Sequence, residues 1–437
     1  MLVVSIFICI ATFAQLVRLL RRQQSSLGLP AAYLFSLLLI HLPGGAAHFL
    51  APDLLFGTDA TTVGMSLTAL GAASFVTGVW FSSRRIAGKI DFQGPSLHLT
   101  WLCLGGGLLL TFVFQLFERL PSIGAAVDKA GGVWMLAVML GMRAAVAAGN
   151  ISSIARWLAL LAVYPTFMLL FGGFLSYGST AAITVLSILV VSVRSKWKLA
   201  LGLLAAIILG INFFLSYFQL RDEIREATWG GAKLEERVST SLKVFENLEW
   251  FDPRNEHHVM SLDQRLNQNF FAGLAAQRIE MDQADFLWGR SLWDGLIALI
   301  PRVFWEDKPI SGGSGQVVQE MTGLVLSDST SWGIGNVMEF HINFGIPGVI
   351  VGFLLLGFAL GYLDRRAAET IQEGDLSRVF VFFLPAIALS NPGGSVVEMF
   401  GGTAAAYVAA LFWKWIWLHW GGDQVSDPRR GRLQTPV

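Results

Sequence analysis

Long apolar runs follow one another along most of this chain, and each is close to the length of a membrane-spanning helix. Such a helix needs about 20 mostly apolar residues. The hydropathy pattern predicts about eleven spans, near Leu2–Val17, Leu29–Leu50, Thr62–Phe81, Leu97–Phe117, Gly131–Ala148, Trp157–Phe174, Ala181–Val193, Leu199–Phe218, Ile342–Leu363, Val379–Ser390 and Val396–Trp417. The sequence therefore predicts an all-α integral membrane protein.

One polar stretch, Arg221–Glu339, interrupts the pattern and carries about half of the charged residues. It divides the chain into an N-terminal bundle of about eight spans (1–218), a large, partly helical loop (219–339), a C-terminal bundle of about three spans (340–418) and a tail (419–437). Within the loop, Arg221–Glu249 is expected to extend the eighth span into water. Leu292–Ile300 is apolar but too short to span, which is typical of a helix on the membrane surface.

Basic residues indicate the orientation, because they favour the cytoplasmic side of short loops. They cluster after alternate spans, at Arg18, Arg21 and Arg22; Arg84, Arg85 and Lys89; Arg143 and Arg156; Arg194, Lys196 and Lys198; Arg365, Arg366 and Arg378; and Arg429, Arg430 and Arg432. An external N-terminus and a cytoplasmic C-terminus place every cluster inside. The large loop is then external and the tail cytoplasmic.

Three local features refine the spans. His41, Pro43-Gly44-Gly45 and His48 interrupt the second span, and such a break is tolerated only where protein or a wet cavity covers the freed backbone. Ser176–Ser179 is predicted to form a tight turn between the sixth and seventh spans. The small-residue spacing of Gly357 and Gly361 predicts close helix packing.

Composition excludes several classes of function. The chain is 54% hydrophobic and 14% charged with no net charge, so no nucleic-acid partner is indicated. Its two cysteines, Cys9 and Cys103, lie in spans and imply no disulfide framework. HExxH is absent, which argues against a zinc protease, and GxxxxGK[ST] and GxGxxG are absent, so no nucleotide cofactor is expected. The absence of Asp-x-Asp weakens the case for a metal-held sugar nucleotide. Glu256-His257-His258 is only a weak metal motif.

Basic residues in the loop are the first candidates for chemistry. Arg265, Arg278, Arg290, Arg302 and Lys308 lie among aromatic and apolar neighbours, whereas Arg221, Arg225 and Arg237 lie among acids. A guanidinium binds phosphate in bidentate fashion and keeps its proton, which suits a pyrophosphate at a membrane surface. In the alternative interpretation these arginines pair with loop acids, namely Asp263, Glu280, Asp282 and Asp285.

Polar residues at the ends of spans are the second set. Glu339 and Asn343, four residues apart, share a helix face where the loop re-enters the membrane, and Glu339 or His341 is a candidate general base. The alternative is a capped helix start. Other polar residues fall toward the outer ends of spans, where they either line a cavity or only reach for water: His41, His48, Gln115, Glu118 and Glu398.

The stretch from Leu262 to Gly361 resembles the bacterial Wzy-type oligosaccharide repeat-unit polymerases of O-antigen and exopolysaccharide synthesis. The likeness lies in Ile300-Pro301-Arg302-Val303-Phe304-Trp305-Glu306-Asp307-Lys308-Pro309 and the Gly-rich loop that follows, in Thr330-Ser331, in Glu339 to Gly345, and in Arg265-Leu266-Asn267-Gln268. The shared plan of many spans and one large external loop implies the GT-C-like polymerase/ligase architecture. The matching motifs cover less than a quarter of the chain.

The resemblance implies a metal-independent glycosyltransferase of the bacterial inner membrane. Its substrate would be a glycan repeat unit on undecaprenyl pyrophosphate at the periplasmic face, and a flippase and a chain-length regulator of the same pathway would be its partners. Arg265, Arg278 and Arg302 fall where the family places functional arginines, and Lys308 and Asn343 are further candidates for binding substrate. Gly178-Ser179-Thr180-Ala181 lacks the arginine that such proteins often carry in this context.

Three other functions fit the same sequence pattern. An O-antigen ligase shares fold, donor and chemistry and differs in its acceptor. A flippase for lipid-linked glycan would spread charge along a path through the spans, whereas here most charge lies outside them. A non-catalytic component of an export complex is the third.

Overall fold

Helices make up the secondary structure of the described residues. The computed structural model describes residues 1–23, 25–83, 97–117, 123–173, 175–193, 195–300, 305, 314–325 and 333–420, and no β-strand occurs within these ranges. Eight helices there are long and apolar enough to cross a membrane. Three shorter apolar helices, His98–Thr111, Gly178–Ser192 and Leu376–Leu389, lie where further spans are predicted. The all-helical fold is confirmed for the described residues, and the eight long apolar helices are compatible with a membrane protein, while the number of crossings stays a prediction.

The described residues contain eighteen α-helices. In chain order they are α1 (Leu2–Gln23), α2 (Leu29–Leu39), α3 (Leu42–Leu50), α4 (Thr58–Ser82), α5 (Leu97–Phe117), α6 (Ile123–Gly131), α7 (Val133–Ala147), α8 (Ile151–Phe167), α9 (Leu175–Ser192), α10 (Lys196–Trp229), α11 (Leu234–Glu246), α12 (Glu256–Leu266), α13 (Gln268–Glu280), α14 (Arg290–Ala298), α15 (Ser314–Thr322), α16 (Asn336–Gln372), α17 (Leu376–Leu389) and α18 (Val396–Trp420). A 3-10 turn, Pro52–Leu54, precedes α4, and a π-helical segment, Met168–Gly172, follows α8.

Helix α4 packs against α1, α13 and α16. Gly357 of α16 lies against the carbonyl of Phe75, and Gly361 lies against Ser82, both on α4. A side chain at either glycine would collide with α4, so these two helices approach backbone to backbone. The predicted close packing at Gly357 and Gly361 is confirmed.

The second span is broken, as predicted: α2 ends at Leu39 and a separate helix, α3, begins at Leu42. The polar loop covers the break. The backbone N–H of Gln268 donates to the carbonyl of Ile40 (3.0 Å), and the Asn269 side chain donates to that of His41 (2.7 Å). The corner between α12 and α13 therefore satisfies backbone groups that the break leaves free.

Basic residues gather at the end of the bundle opposite this corner. Arg365 donates to the carbonyl of Ser82, at the far end of α4 (2.8 Å). Arg21 donates to Val190 and Val193 at the end of α9, and Arg143 donates to Ser26 between α1 and α2. Residues of three predicted cytoplasmic clusters therefore lie at one end of the bundle, and the side of the membrane that this end faces stays a prediction.

One predicted turn is wrong. Ser176–Ser179 lie inside α9, and the chain reverses before that helix, at Gly173, which adopts φ +69°. Pro165 and the π-helical segment Met168–Gly172 precede this glycine. The sequence Ser-Tyr-Gly-Ser suggested a turn, but Gly173 supplies the left-handed conformation.

Candidate functional site

Three arginines meet near the C-terminal end of α10. Arg221 and Arg225 are four residues apart on this helix, and Arg265 of α12 joins them. The Cζ atoms of Arg221 and Arg265 lie 5.6 and 5.2 Å from the ring centre of Phe218, and that of Arg225 lies 5.2 Å from the Trp229 ring. We call Arg221, Arg225 and Arg265 the arginine cluster.

The three guanidiniums lie close enough for their charges to repel one another. Burial, followed by the positive charges of Arg221 and Arg225, lowers the pKa of the Arg265 guanidinium. An arginine keeps its proton despite such a shift, so the like charges remain together. An anion placed among them would relieve this repulsion.

One of the two acids beside Arg221 in sequence pairs with it, and the other pairs with a lysine. Asp222 is 92% exposed and lies 3.4 Å from Arg221 at one oxygen, and Glu223 pairs with Lys243 (3.3 Å). From the sequence, Arg221 and Arg225 are weaker candidates for binding an anion, because acidic residues flank them. The spacing of Tyr217, Arg221 and Arg225 at intervals of four residues was the signal that places them on one face.

The arginine cluster lies just beyond the apolar part of α10. This helix has 34 residues and is about 51 Å long, against about 30 Å for the hydrocarbon core of a bilayer. The chain returns from α11 to α10 at Ser216, which accepts a hydrogen bond from the N–H of Glu249 (3.1 Å) beside the exposed Trp250. Arg221 and Arg225 follow Ser216 by about 8 and 14 Å along the helix, a depth that suits lipid headgroups.

The reversal between α8 and α9 borders the same cluster. Tyr217 donates from its hydroxyl to the carbonyl of Gly173 (3.3 Å), and Trp229 donates from its indole to that of Gly172 (3.3 Å). The alkyl part of Arg225 passes over Gly173. Gly178-Ser179-Thr180-Ala181, which lacks the arginine that the resembled family often carries there, lies in the first turns of α9. Arg225 lies beside Gly173, just before this helix.

The other predicted basic residues do not join the cluster within the described residues. Arg278 of α13 donates to the carbonyl of Gln283 (3.3 Å) and packs on Gly323 after α15. Arg290 pairs with Glu320 (2.7 Å). Arg302 and Lys308 lie outside the described residues. The roles proposed for these four stay predictions.

Glu339 and Asn343 sit at the junction of three segments. Glu339 is 1% exposed, and its Oε2 accepts from the N–H of Val396 at the start of α18 (2.7 Å). Asn343 donates to Ser291 (2.7 Å) and to the Glu339 carbonyl (2.8 Å), while its Oδ1 accepts from the N–H of Gly289 (3.0 Å). These bonds hold the start of α14, the start of α18 and the first turns of α16 together.

His341 has a different setting. It is 8% exposed, its Nδ1 makes no hydrogen bond, and its ring centre lies 6.3 Å from that of Phe286. Phe286 helps to line an open groove of about 390 Å³, together with Asp285, Arg290 and Glu320. An imidazole nitrogen without a partner has the lone pair or proton that acid–base chemistry needs.

The outer-end polar residues of the sequence analysis separate into two groups. His41 and His48 are buried and bonded to α12–α13, and Glu398 contacts Ser314 (3.4 Å). The Gln115 side chain and Glu118 lie outside the described residues. No group of three or more potential metal ligands occurs in the described part of the chain, Glu256-His257-His258 included.

A kink separates the junction from the span that follows. Within α16, Phe344 and Gly345 leave helical geometry, Gly345 at φ +63°, and Pro347 follows. Glu339, His341 and Asn343 therefore lie on a two-turn segment before the membrane-spanning part. Proline cannot continue a helical hydrogen bond, which explains the kink at this position.

Neither the curated proteins nor the solved structures gave a match to this chain. A family model matches residues 58–383, which covers most of the chain from the first residue of α4 into α17 and includes both the arginine cluster and the α16 junction. The chain therefore belongs to the family described as "Domain of unknown function (DUF8712)".

Proposed function

We propose that this protein moves a growing glycan from undecaprenyl pyrophosphate to the next lipid-linked repeat unit, in O-antigen or exopolysaccharide synthesis. The observation that carries the proposal is the arginine cluster: Arg221, Arg225 and Arg265 converge just beyond the apolar part of α10. A lipid pyrophosphate presents its charge at this depth. The resemblance in the loop and α16 supports the same substrate.

In this reaction the bond between the anomeric carbon and the pyrophosphate oxygen breaks, and a bond to the acceptor hydroxyl oxygen forms. The acceptor loses a proton and undecaprenyl pyrophosphate leaves. Fixed cations stabilise the charge that develops on the leaving group without reorganising. The arginine cluster fits this role because aromatic rings and burial hold its guanidiniums in place.

A proton acceptor near the acceptor hydroxyl completes the proposal. Glu339 and His341 remain the candidates, and His341 has the unbonded nitrogen. Asn343 is bonded on both sides of its amide, so its proposed contribution is to position the Glu339 turn and residues 289–291. The proposed setting is the bacterial inner membrane, with the large loop and N-terminus periplasmic and the C-terminus cytoplasmic.

Lipid binding by the purified full chain in nanodiscs tests the cluster directly. We expect tighter binding of undecaprenyl pyrophosphate than of undecaprenyl monophosphate, and a loss of that preference in Arg265→Ala. Arg237→Ala is the matched control, because Arg237 binds the Ala232 carbonyl at the edge of α11. Equal affinity for the two lipids, or an unchanged Arg265→Ala, would contradict the assignment.

A glycan-transfer assay distinguishes the polymerase from the ligase, the transporter and the export component. Elongation of lipid-linked repeat units by the purified protein alone would establish an enzyme and exclude a transporter or export component. Offering repeat units and lipid A core as competing acceptors distinguishes a polymerase from a ligase. Failure to transfer to either acceptor, in protein that binds the donor, would remove the transferase proposal.

A further inference from the structure

A buried polar network connects α12 to the broken second span, on the side of α12 opposite the arginine cluster. His48 of α3 is 1% exposed, and its Nε2 lies 2.9 Å from Oδ1 of Asp263 on α12. Its Nδ1 lies 2.9 Å from the hydroxyl of Thr58. A carboxylate only accepts, so the His48 Nε2–H donates to Asp263.

The same carboxylate oxygen receives a second bond. The Asn267 amide donates to Oδ1 of Asp263 and to the hydroxyl of Thr61 (2.6 and 3.0 Å). Asn267 is buried at the corner between α12 and α13, directly against Gly44 of α3. The C-terminal half of α12 is therefore fixed to α3 and α4 by directed bonds.

Helix geometry relates this network to the arginine cluster. Residues two apart on an α-helix point about 200° apart, so Asp263 and Arg265 project from nearly opposite sides of α12. Asp263 contacts α3 and Arg265 contacts α10 through Phe218. Helix α12 thus lies between the His48 network and the arginine cluster. The position of Arg265 therefore depends on the hydrogen bonds that fix α12 to α3 and α4.

We propose that His48 is a positioning residue for the arginine cluster: through Asp263 it sets α12 so that Arg265 meets Arg221 and Arg225. This inference rests on the proposed role of the cluster in binding a lipid pyrophosphate. His48 is fully enclosed and touches no substrate. Small displacements of a binding group are costly, so the network determines affinity through geometry.

Charge and geometry predict opposite effects at Asp263, which makes the inference testable. Removing a carboxylate from the helix that carries Arg265 should leave anion binding unchanged or strengthen it if only charge matters. Asp263→Ala removes both the charge and the bond to His48, and we expect it to weaken binding of undecaprenyl pyrophosphate by about tenfold. Asp263→Asn keeps an acceptor oxygen for His48 and should bind as well as wild type or better.

The experiment measures the dissociation constant of undecaprenyl pyrophosphate for the full chain in nanodiscs. His48→Asn places its amide near Nδ1 and loses the Asp263 bond, and should also weaken binding about tenfold; His48→Gln reaches the Nε2 position and should restore it. Thr62→Ala is the control, because the Thr62 hydroxyl donates to the Thr58 carbonyl of its own helix. Asp263 is partly exposed, so its variants keep the test available if His48→Asn fails to fold.

A double substitution identifies the route of the effect. If His48 acts through Arg265, then His48→Asn should change affinity less than about twofold in the Arg265→Ala background. The same tenfold loss in both backgrounds, or tighter binding by Asp263→Ala, would overturn the positioning role. Wild type and Arg265→Ala binding equally would instead reject the proposed function of the cluster, together with this inference.

Discussion

The hydroxyl of Ser26 donates a 2.6 Å hydrogen bond to the carboxylate of Asp364, across the interior of the bundle. The other oxygen of Asp364 accepts from the backbone N–H groups of Leu27 and Leu29, each at 3.1 Å. Asp364 is 1% exposed, and Arg143 binds the carbonyl of the same Ser26 (3.2 Å). One carboxylate of α16 therefore secures the link between α1 and α2.

Asp364→Ala should destabilise the protein strongly. It leaves two buried backbone donors without acceptors and removes the counter-charge of Arg143, and breaking a buried polar pair on one side costs about 3–5 kcal/mol. The loss is measured as a fall in the thermal unfolding midpoint in detergent. Asp364→Asn keeps one acceptor oxygen and should lose less. Equal midpoints for wild type and Asp364→Ala would show that water replaces the carboxylate.

Arg225→Ala should reduce polymer formation far more than Arg237→Ala. Arg225 lies in the arginine cluster over Trp229, whereas Arg237 bonds a backbone carbonyl of its own segment. Loss of a charge-assisted contact to substrate in a partly dry site costs about 2–5 kcal/mol, against about 0–1 for an exposed contact. Polymer is measured at matched protein levels. Similar yields from both variants would deny Arg225 a special role, and full activity of Arg225→Lys would show that charge suffices.

The spans were accessible from sequence because hydropathy depends on residue type, and the broken second span was accessible because Pro43 and Gly44 break helices. The arginine cluster was not. Arg221 and Arg225 lie next to acids in sequence, and Asp222 does pair with Arg221 (3.4 Å), but neighbours on a helix point about 100° apart, so adjacency in sequence does not show which side chains converge. Arg265 joins the arginine cluster through a contact between α12 and α10, and no local sequence pattern predicts that contact.

The same limit applies to Glu339 and Asn343. Their spacing predicted one helix face correctly, because α16 begins at Asn336. Which groups they bond depended on α14 and α18, whose starting residues Ser291 and Val396 approach only in the folded chain. Sequence therefore located the junction, and tertiary structure supplied its partners.

Single cysteines at Ser239 and Ser195 test the orientation. Both residues are exposed, Ser239 on α11 and Ser195 just before α10, so labelling reports the side of the membrane instead of burial. The side bias of basic residues predicts that an impermeant thiol reagent labels position 239 and not 195 in intact spheroplasts. The reverse pattern would invert the topology and place the arginine cluster in the cytoplasm.

The attachment of residues 249–258 to α10 should weaken in acid. Hydrogen bonds from His258 and then from Gln219 lower the pKa of the Glu249 carboxyl below its usual 4.5. A lowered pKa in the folded state means that the stabilisation is complete above about pH 4.5 and is lost as pH falls through the lowered value. The protection factor of the Phe251 amide, which is its exchange rate relative to the unfolded chain at the same pH, should therefore fall in acid, because its N–H binds Asn212 (2.7 Å). In Glu249→Gln this fall should be absent; if it persists, another group is responsible.

Glu339→Gln and His341→Gln test the base. If either side chain takes the acceptor proton, its replacement should leave donor binding intact and slow transfer by about 10²–10⁴-fold. Glu339→Gln retains an oxygen for the N–H of Val396, so the fold at this junction should persist and only proton transfer is removed. An unchanged unfolding midpoint provides that control. Wild-type rates from both variants, with donor affinity unchanged, would mean that neither residue is the base and that pyrophosphate departure needs no proton acceptor at this junction.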